Sequence, residues 1–314
     1  MPPPCQPVAL VIGASRGIGR QVAIDLASNG YTVVVAAKSS APIDPSAPFP
    51  PDPNSPASTI TTVEREILNN GGQATAIPVD TTDPTSIQDL VSKTIEKHQT
   101  LDVLIYNPGA IWWASIQDTP LKRYQLMHRV NSEGLYTSIQ YALPYLKRST
   151  HGGRIIVVSP PIYSRFFRGK TAYAMTKVAM SVLTKGLAMD LEREGRRDMA
   201  ISSIWPAVSI ESAATKQFTK KDPNFARDLR TPAIFSDAIF AMLKAPANMV
   251  NGELLLDEDF LRKHGDVTDF SKYSVIPGSE PRRIMPVELP DLRVKEQDDE
   301  GMRHDSAKER TSKI

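Results

Sequence analysis

The 314-residue chain carries 37 Lys and Arg against 35 Asp and Glu, with 41% hydrophobic and 23% charged residues. That balance is ordinary for a globular protein with a substantial core, and a net charge of +2 without a basic block gives no reason to expect nucleic-acid binding. Cys5 is the only cysteine, so no internal disulfide is possible, and no apolar run reaches the ~20 residues that cross a bilayer.

The N-terminus has no basic region leading into an apolar core, so no secretory leader is expected. "VALVIG" reads as a buried strand, followed by a helix from Gly17 to Asn29. "YTVVVAA" is a second strand and "STITTVEREILNN" a helix closed by Gly71 and Gly72. "QATAIPVD" is a third strand. Asp83 then caps a helix that has Pro84 in its first turn and runs to about His98. "LDVLIY" is a fourth strand, and helical patterns continue to about Arg148. "GRIIVVS", a helix from Thr171 to Glu194, "MAISSIWP" and a seventh candidate strand, "GELLLD", complete the series. Strands apolar on both faces and alternating with helices predict an α/β fold. It is a doubly wound parallel sheet of Rossmann type, with helices on both faces, in a single domain over residues 1–265.

Two segments break this rhythm. Residues 39–58 are proline-dense and read as an enlarged surface loop. From Asp266 the hydrophobic period fades, so residues 266–314 are expected to be an extended, poorly ordered tail.

Gly13, Gly17 and Gly19 in "VIGASRGIGRQVA" stand between a strand and a helix. Glycine there lets the backbone approach a pyrophosphate, and the helix N-terminus supplies unpaired N–H groups. NAD-selective sites hold the ribose hydroxyls with a carboxylate at the end of the second strand; this strand ends Ala36-Ala37-Lys38. Lys38 and Arg16 suit a 2′-phosphate, which favours NADP (NADPH) as cofactor. Tyr173 and Lys177 share a helix face, where an ammonium is expected to lower the phenol pKa and ready it for proton exchange with a hydroxyl or carbonyl.

"GASRGIG", "YNPGA", "VNSEG" and "YAMTK", in this order over residues 8 to about 258, resemble the short-chain dehydrogenase/reductases. The resemblance implies that Gly13, Ser15, Arg16, Gly17, Ile18 and Gly19 line the pyrophosphate and that Lys38 faces the 2′-phosphate. Asp80 and Asn107 would surround the adenosine, with Ile210 and Ser212 near the nicotinamide. Asn131 would hold a water in a proton relay, Tyr173 would be the acid/base, and Lys177 would also bind the nicotinamide ribose. The resemblance further implies a homodimer or homotetramer.

The chain departs from the family pattern at Ile12, at Tyr106 and Pro108, and in the missing glycine after Pro206. A fourth departure is chemical: the catalytic serine expected thirteen residues before Tyr173 is Pro160. Ser159, turned by the two prolines that follow it, is the first candidate helper; Ser164 and the Tyr163 hydroxyl are others. If none replaces the serine, the loss is about 3 kcal/mol, or two to three decades in rate.

Two functions follow. One is an NADP-dependent oxidoreductase interconverting an alcohol and a carbonyl, with Trp112, Trp113, Phe166 and Phe167 as an apolar wall for a lipid-like or acyl substrate. The other is a catalytically weak or inactive dinucleotide-binding sensor or assembly protein. Ser312-Lys313-Ile314 resembles the peroxisomal Ser-Lys-Leu address, which implies peroxisomal location and the import receptor as a partner; without it the location is cytoplasmic.

Overall fold

The computed structural model describes residues 6–41, 48–163 and 167–289. Seven strands form one sheet: β1 (Val8–Ile12), β2 (Thr32–Ala37), β3 (Gln73–Pro78), β4 (Val103–Tyr106), β5 (Arg154–Val158), β6 (Ala200–Trp205) and β7 (Leu254–Leu256). Their order is β3-β2-β1-β4-β5-β6-β7 and every pairing is parallel. The helices are α1 (Gly17–Ser28), α2 (Ile60–Asn69), α3 (Pro84–His98), α4 (Leu121–His128), α5 (Gly134–Leu146), α6 (Thr171–Arg193), α7 (Lys216–Lys221), α8 (Ala233–Lys244), α9 (Ala247–Val250) and α10 (Asp257–His264).

The strand period of two divides β1 between two cores. Ala9 and Val11 pack with Val22, Val63 and Phe235 of α1, α2 and α8, whereas Val8, Leu10 and Ile12 pack with Leu90, Leu135 and Leu191 of α3, α5 and α6. Burial on both faces explains why the central strands are apolar throughout. Caps fix the helix starts: the Asp83 carboxylate, as the sequence predicts, accepts from Thr85 N–H at 2.9 Å, and Thr59, not singled out in the sequence, forms a reciprocal cap with Thr62. From β1 the chain winds outward to β3, then returns to β4 on the other side of β1. That reversal opens a crevice at the carboxyl ends of β1 and β4, where ligands of such sheets bind.

The helical patterns before β5 include a π-helical turn, Arg129–Glu133, between α4 and α5. The described part of the proline-rich segment is a loop, as expected, but its lack of regular structure does not detach it from the folded body. Ser58, almost fully buried, donates to the Ser15 carbonyl at 2.6 Å; Asn54 is buried against Gly17, and Asp52 pairs with Lys216 of α7. Prolines bar regular structure but not packing.

The fading period after Asp266 does not mark the end of the folded body either. Phe270 and Tyr273 are buried, and the N–H groups of Ile284 and Met285 donate to the Ala207 carbonyl at 2.8 and 3.2 Å. Arg283 clamps Asp259 of α10 through two bonds of 2.8 and 2.6 Å. Residues 266–289 are therefore held by side-chain and backbone anchors that carry no periodicity. The rest of the expected tail, with Ser312-Lys313-Ile314, lies outside the described residues, as do residues 42–47.

Candidate active site

The β1–α1 turn is built from close backbone approaches. Gly13 and Ala14 both donate to the Ala36 carbonyl, at 2.7 and 3.1 Å, and Asn107 Nδ2 donates to the Gly13 carbonyl at 3.0 Å. A Cβ on Gly19 would lie 2.2 Å from the Gly13 oxygen, so only glycine lets α1 start against the strand. Gly17 adopts φ +57°, the left-handed region that favours glycine. Strand, tight turn and open helix start together form a cradle that fits a dinucleotide pyrophosphate.

The end of β2 carries the charges expected there. Arg16 donates to Ser39 Oγ at 3.1 Å, and the exposed Lys38 ammonium pairs with Asp80 at 2.6 Å. That bond, with the Thr82 N–H, holds the Asp80 carboxyl down at about 2.

Tyr173 and Lys177 lie on the first two turns of α6, both nearly fully buried. Lys177 Nζ donates to the Val158 carbonyl at 2.7 Å, and burial lowers its pKa to about 7. The expected lowering of the Tyr173 pKa does not occur. Burial is the dominant effect and raises it, so the phenol keeps its proton. Asn131 sits in the π-helical turn, fully buried. Its Oδ1 accepts from Ala110 N–H at 2.9 Å; its Nδ2 donates to the Ala110 carbonyl at 3.2 Å and to Thr176 Oγ1 at 2.9 Å. Tyr106 holds the same turn by donating to the Val130 carbonyl at 2.5 Å. A Cβ on Gly134 would lie 2.4 Å from the Tyr106 oxygen, so glycine makes room for this tyrosine.

A cavity of about 910 Å³ joins these parts. It is lined by Gly13, Ser15, Arg16, Gly17, Ile18 and Asn107 at the cradle, by Tyr173 and Lys177, and by Ile210 and Ser212. Gly19 and Asn131 lie buried behind the wall as supports, and Lys38 and Asp80 stand apart at the ends of β2 and β3. Ser159 does not reach the cavity. It is fully buried and its Oγ accepts from Ser181 Oγ of α6 at 3.0 Å, while Ser181 also donates to the Pro160 carbonyl at 2.6 Å. β5 ends at Val158, and the Ser159 N–H turns back to the Val157 carbonyl at 3.0 Å, yet the Ser159 hydroxyl still faces α6. Of the other candidate helpers, Tyr163 lines the cavity and Ser164 lies outside the described residues, as does Phe166 of the expected wall.

Of the expected wall, Trp113 lines the cavity whereas Trp112 and Phe167 pack against the start of α6 without lining it, and sequence reasoning missed Trp205, Phe218, Phe225 and Met285. Trp205 lies at the end of β6, its ring 5.6 Å from Lys177 Nζ; a large aromatic at a strand's carboxyl end was the available signal. Nothing periodic announces Met285, which arrives by the return of the chain to Ala207.

A family model described as short chain dehydrogenase matches residues 7–47 and 54–222. The chain belongs to the short-chain dehydrogenase family. It therefore has the NAD(P)-binding Rossmann fold of that family's oxidoreductases. Hydroxysteroid dehydrogenase-like protein 2 of Danio rerio is 34% identical over 270 residues, and that of Homo sapiens 32%. The match spans 85% of this chain and 60% of each relative's length. Among solved structures, a putative dehydrogenase from Xanthomonas campestris is 31% identical with a TM-score of 0.76, covering 92% of this chain and 98% of that one. A short chain dehydrogenase from Mycobacterium thermoresistibile is 33% identical with a TM-score of 0.77, covering 91% and 96%. An alcohol dehydrogenase from Thermococcus sibiricus, complexed with 5-hydroxy-NADP, shares the fold at 22% identity and a TM-score of 0.65, covering 80% and 95%. Among the described residues, no helix is long and apolar enough to cross a membrane.

Proposed function

We propose that this protein is an NADP-dependent reductase that interconverts a carbonyl and an alcohol on a lipid-like or acyl substrate. The observation that carries this reading is the single cavity shared by the glycine cradle and the Tyr173–Lys177 pair. Bound NADPH supplies a hydride equivalent to the carbonyl carbon. Gly13, Ser15, Arg16, Gly17 and Ile18 hold the pyrophosphate, with Gly19 behind them. Lys38 and Arg16 favour the 2′-phosphate, since no carboxylate ends β2. Asp80 and Asn107 frame the adenosine, and Ile210 and Ser212 frame the nicotinamide.

Tyr173, held protonated by burial, donates its proton to the carbonyl oxygen as that oxygen gains charge. Lys177 binds the nicotinamide ribose, and Asn131 anchors the relay through Ala110 and Thr176. Carbonyl, NADPH and one proton become alcohol and NADP. The C-terminal Ser-Lys-Ile supports import into peroxisomes through the import receptor, and the family resemblance supports a homodimer or homotetramer.

One observation favours a second reading, a weak or inactive dinucleotide sensor: Pro160 has no hydroxyl and Ser159 faces Ser181. An NADPH-oxidation screen over ketones, aldehydes and 3-ketoacyl thioesters separates the two. The reductase reading expects turnover, with kcat/KM falling about 10²–10⁴-fold in Tyr173→Phe. Tight NADPH binding without turnover on any substrate would support the sensor. Affinity for NAD equal to that for NADP, or no weakening of NADP in Lys38→Ala, would contradict the cofactor assignment.

A further inference from the structure

The cavity continues past Tyr173 along a wall that hydride chemistry alone leaves without a purpose. Trp113 meets the Tyr173 ring edge-on, with 6.1 Å between centroids, and stacks on Phe218 at 5.7 Å with 12° between planes. Phe225 follows, 5.4 Å from Phe218. These rings lead outward from the phenol.

Cations stand beside them. Lys170 Nζ lies 5.9 Å from the Trp113 ring centroid, and Arg168 lines the same cavity. Lys170 and Tyr173 thus both lie against a single indole. No Asp or Glu is among the described residues that line the cavity, whereas Arg16, Arg168, Lys170 and Lys177 all do. Arg16 belongs to the cradle and Lys177 to the Tyr173 pair. Arg168 and Lys170 belong to neither, and Lys170 stands over Trp113 rather than over the glycine turn.

Two effects disfavour a cation at Lys170. It is the N-cap residue of α6, at the positive end of that helix, and it is half-buried, which pulls its ammonium below the ordinary lysine pKa. An anion entering the cavity relieves both.

We propose that the substrate of this site carries an anionic group, a carboxylate or a phosphate, held by Lys170 and Arg168. Its apolar body lies along Trp113 and Phe218 while its carbonyl reaches Tyr173. This rests on the reductase reading of the same cavity, and it names the substrate class: an oxo compound with a negative handle at one end. Two sources share that chemistry, a free oxo acid and an oxoacyl thioester of a phosphate-bearing carrier.

The test uses the full chain. Octanoate and octanamide, neither of which can be reduced, are titrated calorimetrically in the presence of NADP. Octanoate is expected to bind at least tenfold more tightly. That preference should shrink to within about twofold in Lys170→Met and Arg168→Gln combined, and persist in Lys170→Arg, which keeps the charge. Equal affinities in the wild type, binding of neither probe, or a preference that survives loss of both cations overturns the proposal.

Turnover of 3-oxooctanoate, its methyl ester and its coenzyme A thioester identifies the source. The free acid as best substrate assigns the carboxylate, and the thioester assigns the phosphates. A methyl ester better than both overturns the proposal while upholding the reductase reading. Tight octanoate binding with no NADPH oxidation on any of the three does the reverse.

Discussion

At the scale of residues, burial decides the chemistry. Tyr173 and Lys177 are both almost inaccessible, and each is pushed toward its neutral form. With Lys177 near 7, its positive charge is present below that pH and lost above it. The kcat/KM for carbonyl reduction, which reports the free enzyme, is therefore expected to fall as pH rises above about 7. Lys177→Arg should move that limb beyond pH 9, and a profile flat from pH 6 to 9 in the wild type would contradict the assignment. The same burial costs stability. The unfolded chain binds more protons than the folded one between about 7 and the ordinary lysine pKa, so this group's penalty is greatest below pH 7 and fades as pH rises. Lys177→Met should accordingly raise the melting temperature at pH 6 by a few degrees while abolishing turnover, as read by calorimetry and NADPH oxidation.

Gly19 gives a sharper residue-level prediction. A methyl group there collides with the Gly13 oxygen at 2.2 Å, a contact made by rigid backbone on both sides. Gly19→Ala must displace α1 from the cradle, and NADPH affinity, followed by fluorescence, should drop at least tenfold. An unchanged affinity would show that the pyrophosphate binds elsewhere.

At the scale of elements, two segments that look dispensable serve the site: the proline-rich segment backs the glycine turn, and the C-terminal return lends Ile284 and Met285 to the cavity wall. The proline-rich segment reaches α7 through the Asp52–Lys216 pair, whose side chains are 39% and 40% exposed. Pairs that open to solvent contribute about 0–1 kcal/mol. Asp52→Ala is thus expected to weaken NADPH binding only a few-fold. The buried Ser58–Ser15 bond is worth more, and Ser58→Ala should weaken binding further than Asp52→Ala does. The reverse ranking in the same fluorescence titration would contradict this account of the segment.

The return of residues 283–285 depends on a buried acid, Asp257. Ala207 N–H donates to Asp257 Oδ1 at 2.8 Å, and burial raises that carboxyl to about 7. Its folded pKa lies above its unfolded one, so its contribution to stability is full at low pH and declines as pH rises from about 4 through 7. Asp257→Asn keeps the acceptor but removes the titration. The stability difference between variant and wild type should grow across that range, measured by urea midpoints; a constant difference would rule out the titration of Asp257.

For the whole molecule, the sequence made the sheet legible because each strand is short, apolar and bounded by turn residues. All seven expected strands form, and Gly13, Gly17, Gly19, Tyr173 and Lys177 occur where pattern alone puts them. What was not legible depends on contacts between distant segments. Met285 meets the site because Ile284 and Met285 bond to Ala207, and the Asn131 geometry comes from a π-helical turn that no periodicity encodes. Ser159 lies outside the cavity for a simpler reason: Ser181, two turns beyond Tyr173 on α6, supplies it with a buried partner.

The most direct measurement is a crystal structure of the NADPH complex. The account predicts the pyrophosphate on the Gly13–Gly19 turn and the nicotinamide ring beside Tyr173 and Ile210, leaving its C4 atom about 3–3.5 Å from the carbon of a bound carbonyl compound. A ring bound outside the cavity, or turned so that C4 faces away from Tyr173, would contradict it.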